Sequence, residues 1–542
     1  MSARRRAERS PSFSLIAIAL LLTLAAVATT ATSAGALDAS TYRRPLGNDP
    51  GTLDPARISD VYGRSVAQQI FDGLVRFDQT LAITPALAKF WRASRDGRTW
   101  TFELRRGVRF HHGREVTADD VVFSFTRILD PALRSSAAET FMAIVGAREF
   151  REGRAPDVAG LAAIDRYTVR IQLVEAFAPF VSVLAMGHAT IVPRDLVERL
   201  EEEFGRQPVG TGPFRFAGWH RGRSITLEAN DDYFDGRPRL SRLVYRIFPG
   251  EDSVGMLREF ERGELEDSQV PTAEHARVVA GTRHVYVRRP MFNLRFYGFN
   301  TRVKPLDDRR VRQAIVHAIH RDAIVKDIFG GRFTPAHGVL PPGTLGFNPA
   351  IAPRPWDPER ARTLLAEAGY PGGRGLPAIP FWSAARSERL VREHRRIVDD
   401  LAAIGIRAEF HYLIDWPAFS RMLADGRAPA FQYAWYADVP DPDNFLHLLF
   451  HSRSPRNYTR YANSVVDGLL AAARAEPQLK RRVELYRRAE LTILDDAPIV
   501  PMWHYAYERV FQPYVRSVEV NGLGDPYIPL RKIWLDTARD HQ

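Results

Sequence analysis

Cysteine is absent from all 542 residues. That absence excludes disulfides, thiolate metal sites and cysteine nucleophiles together. It also excludes the lipid-bearing cysteine with which bacterial lipoproteins are anchored. No low-complexity tract or short internal repeat occurs, which argues against a solenoid. HExxH, GxSxG and GxGxxG are all missing, and the glycine-rich step Gly210-Thr211-Gly212 lacks the lysine that a phosphate-binding loop needs. The usual marks of zinc proteolysis, serine hydrolysis, dinucleotide binding and ATP hydrolysis are therefore not here. The apolar run Leu15 to Ala28 is about 14 residues, short of the roughly 20 that cross a bilayer.

What is present reads as a large ordered protein. A composition of 45% hydrophobic and 26% charged residues fits a globular chain. Its length predicts two to four domains, or two large lobes. The net charge of +11 is carried almost wholly by arginine. Acids and bases alternate, as in RRIVDD and RLEEEF, with no long basic run, so a solvated basic surface is expected and not a nucleic-acid site. Residues 1–36 have the layout of a cleaved signal peptide. Arg4, Arg5, Arg6 and Arg9 form a basic start, the apolar run follows, and Ala34-Gly35-Ala36 supplies the small-x-small cleavage step, so the mature chain is expected to begin at Leu37. An uncleaved anchor is the rival reading of the same residues.

Periodicity predicts an alternating α/β chain. Val66, Ile70 and Leu74 are spaced as on a helix. Trp100, Phe102 and Leu104 alternate as on a strand, as does Tyr167 to Leu173. Thr117 reads as a helix cap, with Asp119 and Asp120 in the first turn and Val121, Val122 and Phe125 on the apolar face. Asp307 is expected to cap a helix carrying Val311, Ala314, Ile315, Ala318 and Ile319. Asp357-Pro358 opens another that stops at Gly369. Arg386 to Ala403 and Pro477 to Asp495 read as helices, and Phe431 to Tyr436 as a buried strand.

One acid stands out. Asp438 follows the apolar strand and precedes the turn-rich Val439 to Asn444, a suitable place for a carboxylate that holds a ligand ammonium in a cleft. Asp441 and Asp443 read more simply as turn residues in solvent. His111 and His112 are adjacent, and on a strand would face opposite ways. His447 and His451 would share a helix face, but two nitrogens without a placed carboxylate make a weak metal site. No metal, cofactor or catalytic residue is assigned. The nine tryptophans leave open stacking against a sugar or against ligand side chains.

The stretch PALAKFWRASRDGRTWTFELRRGVRFHHGREVTADDVVFSF, residues 85–125, resembles the signature region of the family 5 bacterial solute-binding proteins, which serve peptide and nickel ABC importers. Gly210 to Phe214, NDDYFDGRP at 230–238, PLDDRRVRQAI at 305–315 and DAPIVP at 496–501 extend the resemblance over most of the chain. It implies an α/β, two-lobed periplasmic binding protein fold of type II, in its large form with an extra subdomain, mixed sheets and a hinge between lobes. The implied divisions are 37–71, 197–296 and 506–542 for lobe I, 72–196 for the extra subdomain and 297–505 for lobe II. It further implies a monomer that is not an enzyme, works in the periplasm, captures di- or oligopeptides by hinge closure and delivers them to a permease driven by separate ATPase subunits. At the site, the resemblance matches Trp435 and Asp438 to a Trp-x-x-Asp step whose aspartate grips the peptide ammonium. Backbone groups of Ala434 and Tyr436 would pair with the extended ligand, and Ser59 to Val61 would face it as a strand from the other lobe. Nickel chelates, oligosaccharides and opines remain alternative ligands, and a secreted hydrolase the alternative class.

Overall fold

The computed structural model describes residues 40–536. Residues 1–36, read above as a signal peptide, and the expected cleavage before Leu37 lie outside the described residues. The chain forms a two-lobed α/β molecule. A four-stranded mixed sheet combines Thr41–Leu46 with Phe214–His220, Ser224–Ala229 and Arg242–Ile247. A four-stranded antiparallel sheet of the subdomain joins Ala88–Ala93, Thr99–Leu104, Leu161–Asp165 and Thr168–Gln172.

Seven strands position the site: β1 (Val285–Pro290), β2 (Asn293–Phe299), β3 (Ile379–Ser383), β4 (Ala408–Tyr412), β5 (Ala430–Tyr436), β6 (Ile499–His504) and β7 (Ala506–Phe511). β1 and β7 pair with each other in a three-stranded sheet with Asp267–Gln269. The other five, with Thr334–Pro335 at one edge, form a six-stranded sheet in the order Thr334–Pro335, β6, β2, β5, β3, β4. Thus β1 runs on into β2 and β6 runs on into β7, two crossings side by side. They are tied together there: Met291 N–H donates to Tyr505 O at 3.0 Å, and Tyr505 N–H donates to Asn293 Oδ1 at 2.8 Å. Asn293 and His504 are buried beneath the crossing.

Five helices matter below: α1 (Val61–Ile70), α2 (Trp416–Ala424), α3 (Asp443–Phe450), α4 (Ser464–Ala475) and α5 (Leu479–Asp496). Among the described residues no helix is long and apolar enough to cross a membrane.

Local sequence accounts for much of this. Trp100, Phe102 and Leu104 point into the subdomain core as their alternation predicts. Thr117 forms a capping box with Asp120, whose carboxylate accepts from Thr117 N–H at 2.9 Å, while Val121 and Phe125 are buried. The Gly210-Thr211-Gly212 step is structural. A Cβ on Gly210 would lie 2.1 Å from the Ile70 carbonyl oxygen. His111 clamps the same step, accepting from Gly210 N–H at Nδ1 and donating from Nε2 to Gly212 O at 3.0 Å. Burial holds this imidazole neutral, with a pKa pushed down to about 4.

Three expectations need correction. The helix over 309–318 is capped by Asp308, not Asp307, because the Asp308 side chain reaches Arg310 N–H at 2.8 Å. α1 stops at Ile70, since the chain turns under Gly210 and Gly212 there, and Leu74 is buried beyond it. His111 and His112 lie in a tight turn closed by Phe110 and Arg114, not on a strand.

Glu490 of α5 is fully buried and accepts from Val339 and Leu340 N–H groups. Burial outweighs these bonds and raises its pKa from 4.5 to about 7. Between those values the unfolded chain has lost the proton while the folded chain keeps it, so this group's contribution to stability falls as pH rises. In denaturant titrations the stability of the wild type minus that of Glu490→Gln is expected to drop by up to ~3 kcal/mol from pH 4.5 to 7.5. A difference that does not change with pH would refute it.

Candidate functional site

β5 is an apolar, aromatic strand, and all seven of its residues pair antiparallel with β2, from Asn293 opposite Tyr436 to Phe299 opposite Ala430. Its other side is only partly covered. β3 pairs with it in parallel at Ala430 and Phe431 and ends at Ser383. Among the described residues no strand continues along Tyr433 to Tyr436. The phase of the ladder is fixed by Ala437 N–H donating to Phe292 O and Asn300 N–H donating to Pro429 O, both at 2.8 Å. Odd-numbered residues of β5 therefore bond to β2. The N–H and C=O groups of Ala434 and Tyr436 point to the open edge.

Three acids follow the strand and are put to different uses. Asp441 is buried and bonds the Arg482 guanidinium of α5 through both carboxylate oxygens. Asp443 is buried too, accepting from Tyr486 OH at 3.1 Å and lying 3.3 Å from Arg474 Nε. Asp438 is half-buried, and among the described residues its carboxylate forms no ion pair within 4 Å. Burial raises its pKa, while Arg64 of α1, Arg456 and Asn444 pull it back. Asn444 Oδ1 fixes the turn, accepting from Asp438 N–H at 3.1 Å and Trp435 Nε1–H at 3.2 Å. Val439, next along, packs into the apolar core of the subdomain. Asp438 thus sits at the seam between the subdomain and the second lobe.

A cavity of about 1020 Å³ opens at this seam. It meets β5 at Trp435 and the turn at Asp438, with Arg456 and Tyr458 on the same wall and Thr140 and Met186 opposite. Arg474 bridges its two walls. Its carbonyl accepts from Ala178 N–H at 2.7 Å, and its guanidinium lies 4.4 Å over the Phe177 ring and 3.7 Å from Glu175.

Comparison with known proteins now has a geometry to meet. The sequence model of the bacterial extracellular solute-binding proteins, family 5 (middle region), matches residues 82–457. This chain belongs to that family. It is 30% identical over 473 residues to a dipeptide-binding protein of Escherichia coli (strain K12), covering 83% of this chain and 86% of the relative. It is 32% identical over 499 residues to heme-binding protein A of Haemophilus influenzae, covering 88% of each. Among solved structures, the unliganded open form of the periplasmic murein tripeptide-binding protein MppA superposes with a TM-score of 0.81 at 26% identity, over 92% of this chain and 98% of that one. The periplasmic binding protein DppA from Helicobacter pylori, in complex with the peptide STSA, gives 0.74 at 29% identity with the same coverage.

Against this family member's geometry the sequence readings divide. Trp435, Asp438, Ala434 and Tyr436 are brought together on one strand and its turn. Trp435 and Asp438 wall the cavity, and Ala434 and Tyr436 lie on the adjoining open edge. Ser59 and Val61 are exposed but do not form a strand. Val61 is the first residue of α1, which Asp60 caps by accepting from Gly63 N–H at 2.7 Å, and neither residue walls the cavity. Arg64, one turn further on, is the residue of α1 whose charge acts on Asp438. The expectation that Asp441 and Asp443 are solvated is overturned, because both are buried against arginines. His447 and His451 do share a face, their rings stacked at 4.5 Å, but Arg474 donates to His447 Nε2 at 3.2 Å. Burial and that cation push His447 down to about 2. Among the described residues no group of three histidines or acids is placed to hold a metal. Sequence reasoning missed Arg64, Arg456, Tyr458 and Asn444. The single asparagine closing the Asp-Pro-Asp-Asn run was the one available signal, for Asn444.

The contrast between the acids is testable by stability alone. Asp441→Asn leaves Arg482 buried without its counter-charge and is expected to lose about 3–5 kcal/mol in urea denaturation. Asp438→Asn removes a charge that burial already penalises, and is expected to cost nothing measurable. Equal losses would mean that Asp438 is also a structural anchor.

Proposed function

We propose that this chain is the extracytoplasmic solute-binding component of an ABC importer and that its ligand is a short peptide with a free amino terminus. One observation carries the reading: a backbone edge left open at Ala434 and Tyr436 ends at Asp438, a carboxylate without an ion pair beside a large cavity. An extended peptide fits this arrangement as an added strand, its main chain meeting the edge and its ammonium meeting the acid. The likeness to the E. coli dipeptide-binding protein and to the peptide complex of the H. pylori protein supports the same ligand class.

The proposal extends to the rest of the molecule. Residues 1–36 act as a cleaved signal, and the mature protein is a periplasmic monomer without lipid or enzymatic activity. The lobes divide as 37–71, 197–296 and 506–542 against 297–505, with 72–196 as the subdomain. Near the first of these boundaries β1 hands over to β2, at Met291–Phe292. Flexing at the two tied crossings lets a ligand that touches both sides favour the closed arrangement. A permease with separate ATPase chains then receives the peptide.

Calorimetry decides the central point. Asp438→Asn is expected to weaken a free dipeptide or tripeptide by about ten- to hundredfold, since a charge-assisted hydrogen bond is worth roughly 1.5–3 kcal/mol. The N-acetylated peptide, which has no ammonium, should lose far less to the same substitution. Equal losses would remove the amine-reading role of Asp438, and absence of peptide binding by the wild type would remove the peptide assignment.

Closure has its own measurement. Saturating peptide is expected to reduce the small-angle scattering radius of the wild type. An unchanged profile with binding intact would rule out capture by lobe closure.

A further inference from the structure

Closure requires the six-stranded and three-stranded sheets to turn against each other at the two crossings, and one charged cluster spans them beside that point. Residues 329–333 form a tip on the six-stranded side. Phe333 stacks on Trp503 of β6 with centroids 5.7 Å and planes 13° apart, and Phe329 meets the same ring at 4.8 Å. Gly330 and Gly331 both have positive φ, 63° and 70°, a turn that favours glycine and presents Arg332 beyond it. Thr334 and Pro335 then pair with His504 and Trp503 of β6.

Arg332 thus belongs to the six-stranded side, yet the hydrogen bonds its guanidinium makes among the described residues all go to the other. Its Nε donates to Glu508 of β7, and its two amino groups donate to Thr272 Oγ1 at 2.8 Å and to Val270 O at 3.0 Å. Arg288 of β1 returns the contact, donating to Arg332 O at 2.8 Å. Glu508 stands three residues past Tyr505, where β6 passes into β7. Its carboxylate is buried but has partners on its own side: Tyr286 OH donates to it at 2.8 Å, His275 Nε2 lies 3.1 Å away and Arg288 Nε 3.6 Å. A buried ion stripped of its sole partner is costly. Here the departure of Arg332 leaves the carboxylate hydrogen-bonded, so this contact can be made and broken. The arrangement that carries it superposes better on open, unliganded MppA than on peptide-bound DppA, although DppA is the more similar in sequence.

We infer that Arg332 is a latch on the open arrangement: its bonds to Glu508, Val270 and Thr272 hold the two sheets beside the crossings, and closure breaks them. Displacement by ~1 Å is enough to lose such bonds, and rotation about the crossings moves the tip relative to β7. The latch keeps the empty protein open, and apparent affinity falls with the closed fraction it suppresses. This rests on the reading of capture by lobe closure given above.

The test uses the lack of cysteine. Ile164→Cys in the subdomain and Leu491→Cys on α5, both at exposed positions, supply two spin-label sites, and pulsed electron resonance reads the distance between them. Without ligand, the labelled parent is expected to show one distance population, and adding Arg332→Ala a second. By calorimetry, Arg332→Ala is expected to bind a free tripeptide about tenfold tighter than wild type, with Arg332→Lys between the two. Thr272→Val deletes one bond and no charge, and should tighten binding by about two- to threefold; it carries the test if Arg332→Ala does not fold. Unchanged distances with unchanged or weaker binding in these variants would mean that the cluster is a fixed brace, and would overturn the inference while leaving peptide capture in place. A second population in Arg332→Ala together with no peptide binding by the wild type would remove the peptide reading and keep the latch.

Discussion

A main-chain N–H or C=O taken from water must find a partner, and a strand with a free edge carries a row of them. The site of this protein follows from one such edge. β3 ends at Ser383, so its pairing with β5 covers Ala430 and Phe431 and then stops. Had β3 continued for four more residues, Ala434 and Tyr436 would be satisfied inside the sheet and nothing could be added there. The early end of β3 leaves β5 an open edge with Asp438 two residues past it, the arrangement on which the proposed peptide site rests.

The surroundings keep that edge in place. Beneath it, Arg295 is buried opposite Ala434 and held by Glu393 at 3.1 Å, while Tyr297 donates to the same carboxylate at 2.5 Å. At its far end Tyr436 stacks on Tyr505 with centroids 6.0 Å apart and nearly parallel planes. Tyr505 is itself the residue between β6 and β7, tied to Asn293 across the two crossings. The open edge and the crossing point are thus in direct contact through one aromatic pair. The turn after the strand is held from both sides, by Asp441 and Asp443 against α4 and α5 and by Val439 in the subdomain.

Much of this was legible in the residues. Alternation marked the strand at Thr99–Leu104, an aromatic-rich apolar run marked that at Ala430–Tyr436, and capping chemistry marked the helices after Thr117 and Asp357 to within a residue or two. Asp438 was distinguishable by its place after an apolar strand. What could not be read were facts that depend on distant partners. Asp441 and Asp443 have the composition of a solvated turn, and only the arrival of Arg482 and Arg474 from other helices buries them. Arg64 and Arg456 looked like any other arginine in an arginine-rich chain. A strand at Ser59 to Val61 was implied by the resemblance alone, but Asp60 caps a helix there through a local side-chain-to-backbone bond. The length of β3 is likewise set by where the chain must leave the sheet, which local pattern does not encode.

On the proposed peptide reading, the electrostatics around Asp438 favour an ammonium as occupant. Burial makes the Asp438 carboxylate costly, and the cations that relieve it are Arg64 of α1 and Arg456. Neither forms a close pair with it, and Arg456 already donates to Tyr458. With Asn444 beside it and its counter-charges distant, the carboxylate has lost solvent without gaining an ion-pair partner. An incoming ammonium supplies that partner at contact distance, and it does so together with main-chain bonds along the edge. Asp441 and Asp443, already paired, offer no such gain. The same turn therefore holds two acids that secure the fold and one that lacks an ion pair, which on the proposed reading makes binding selective for a cationic terminus.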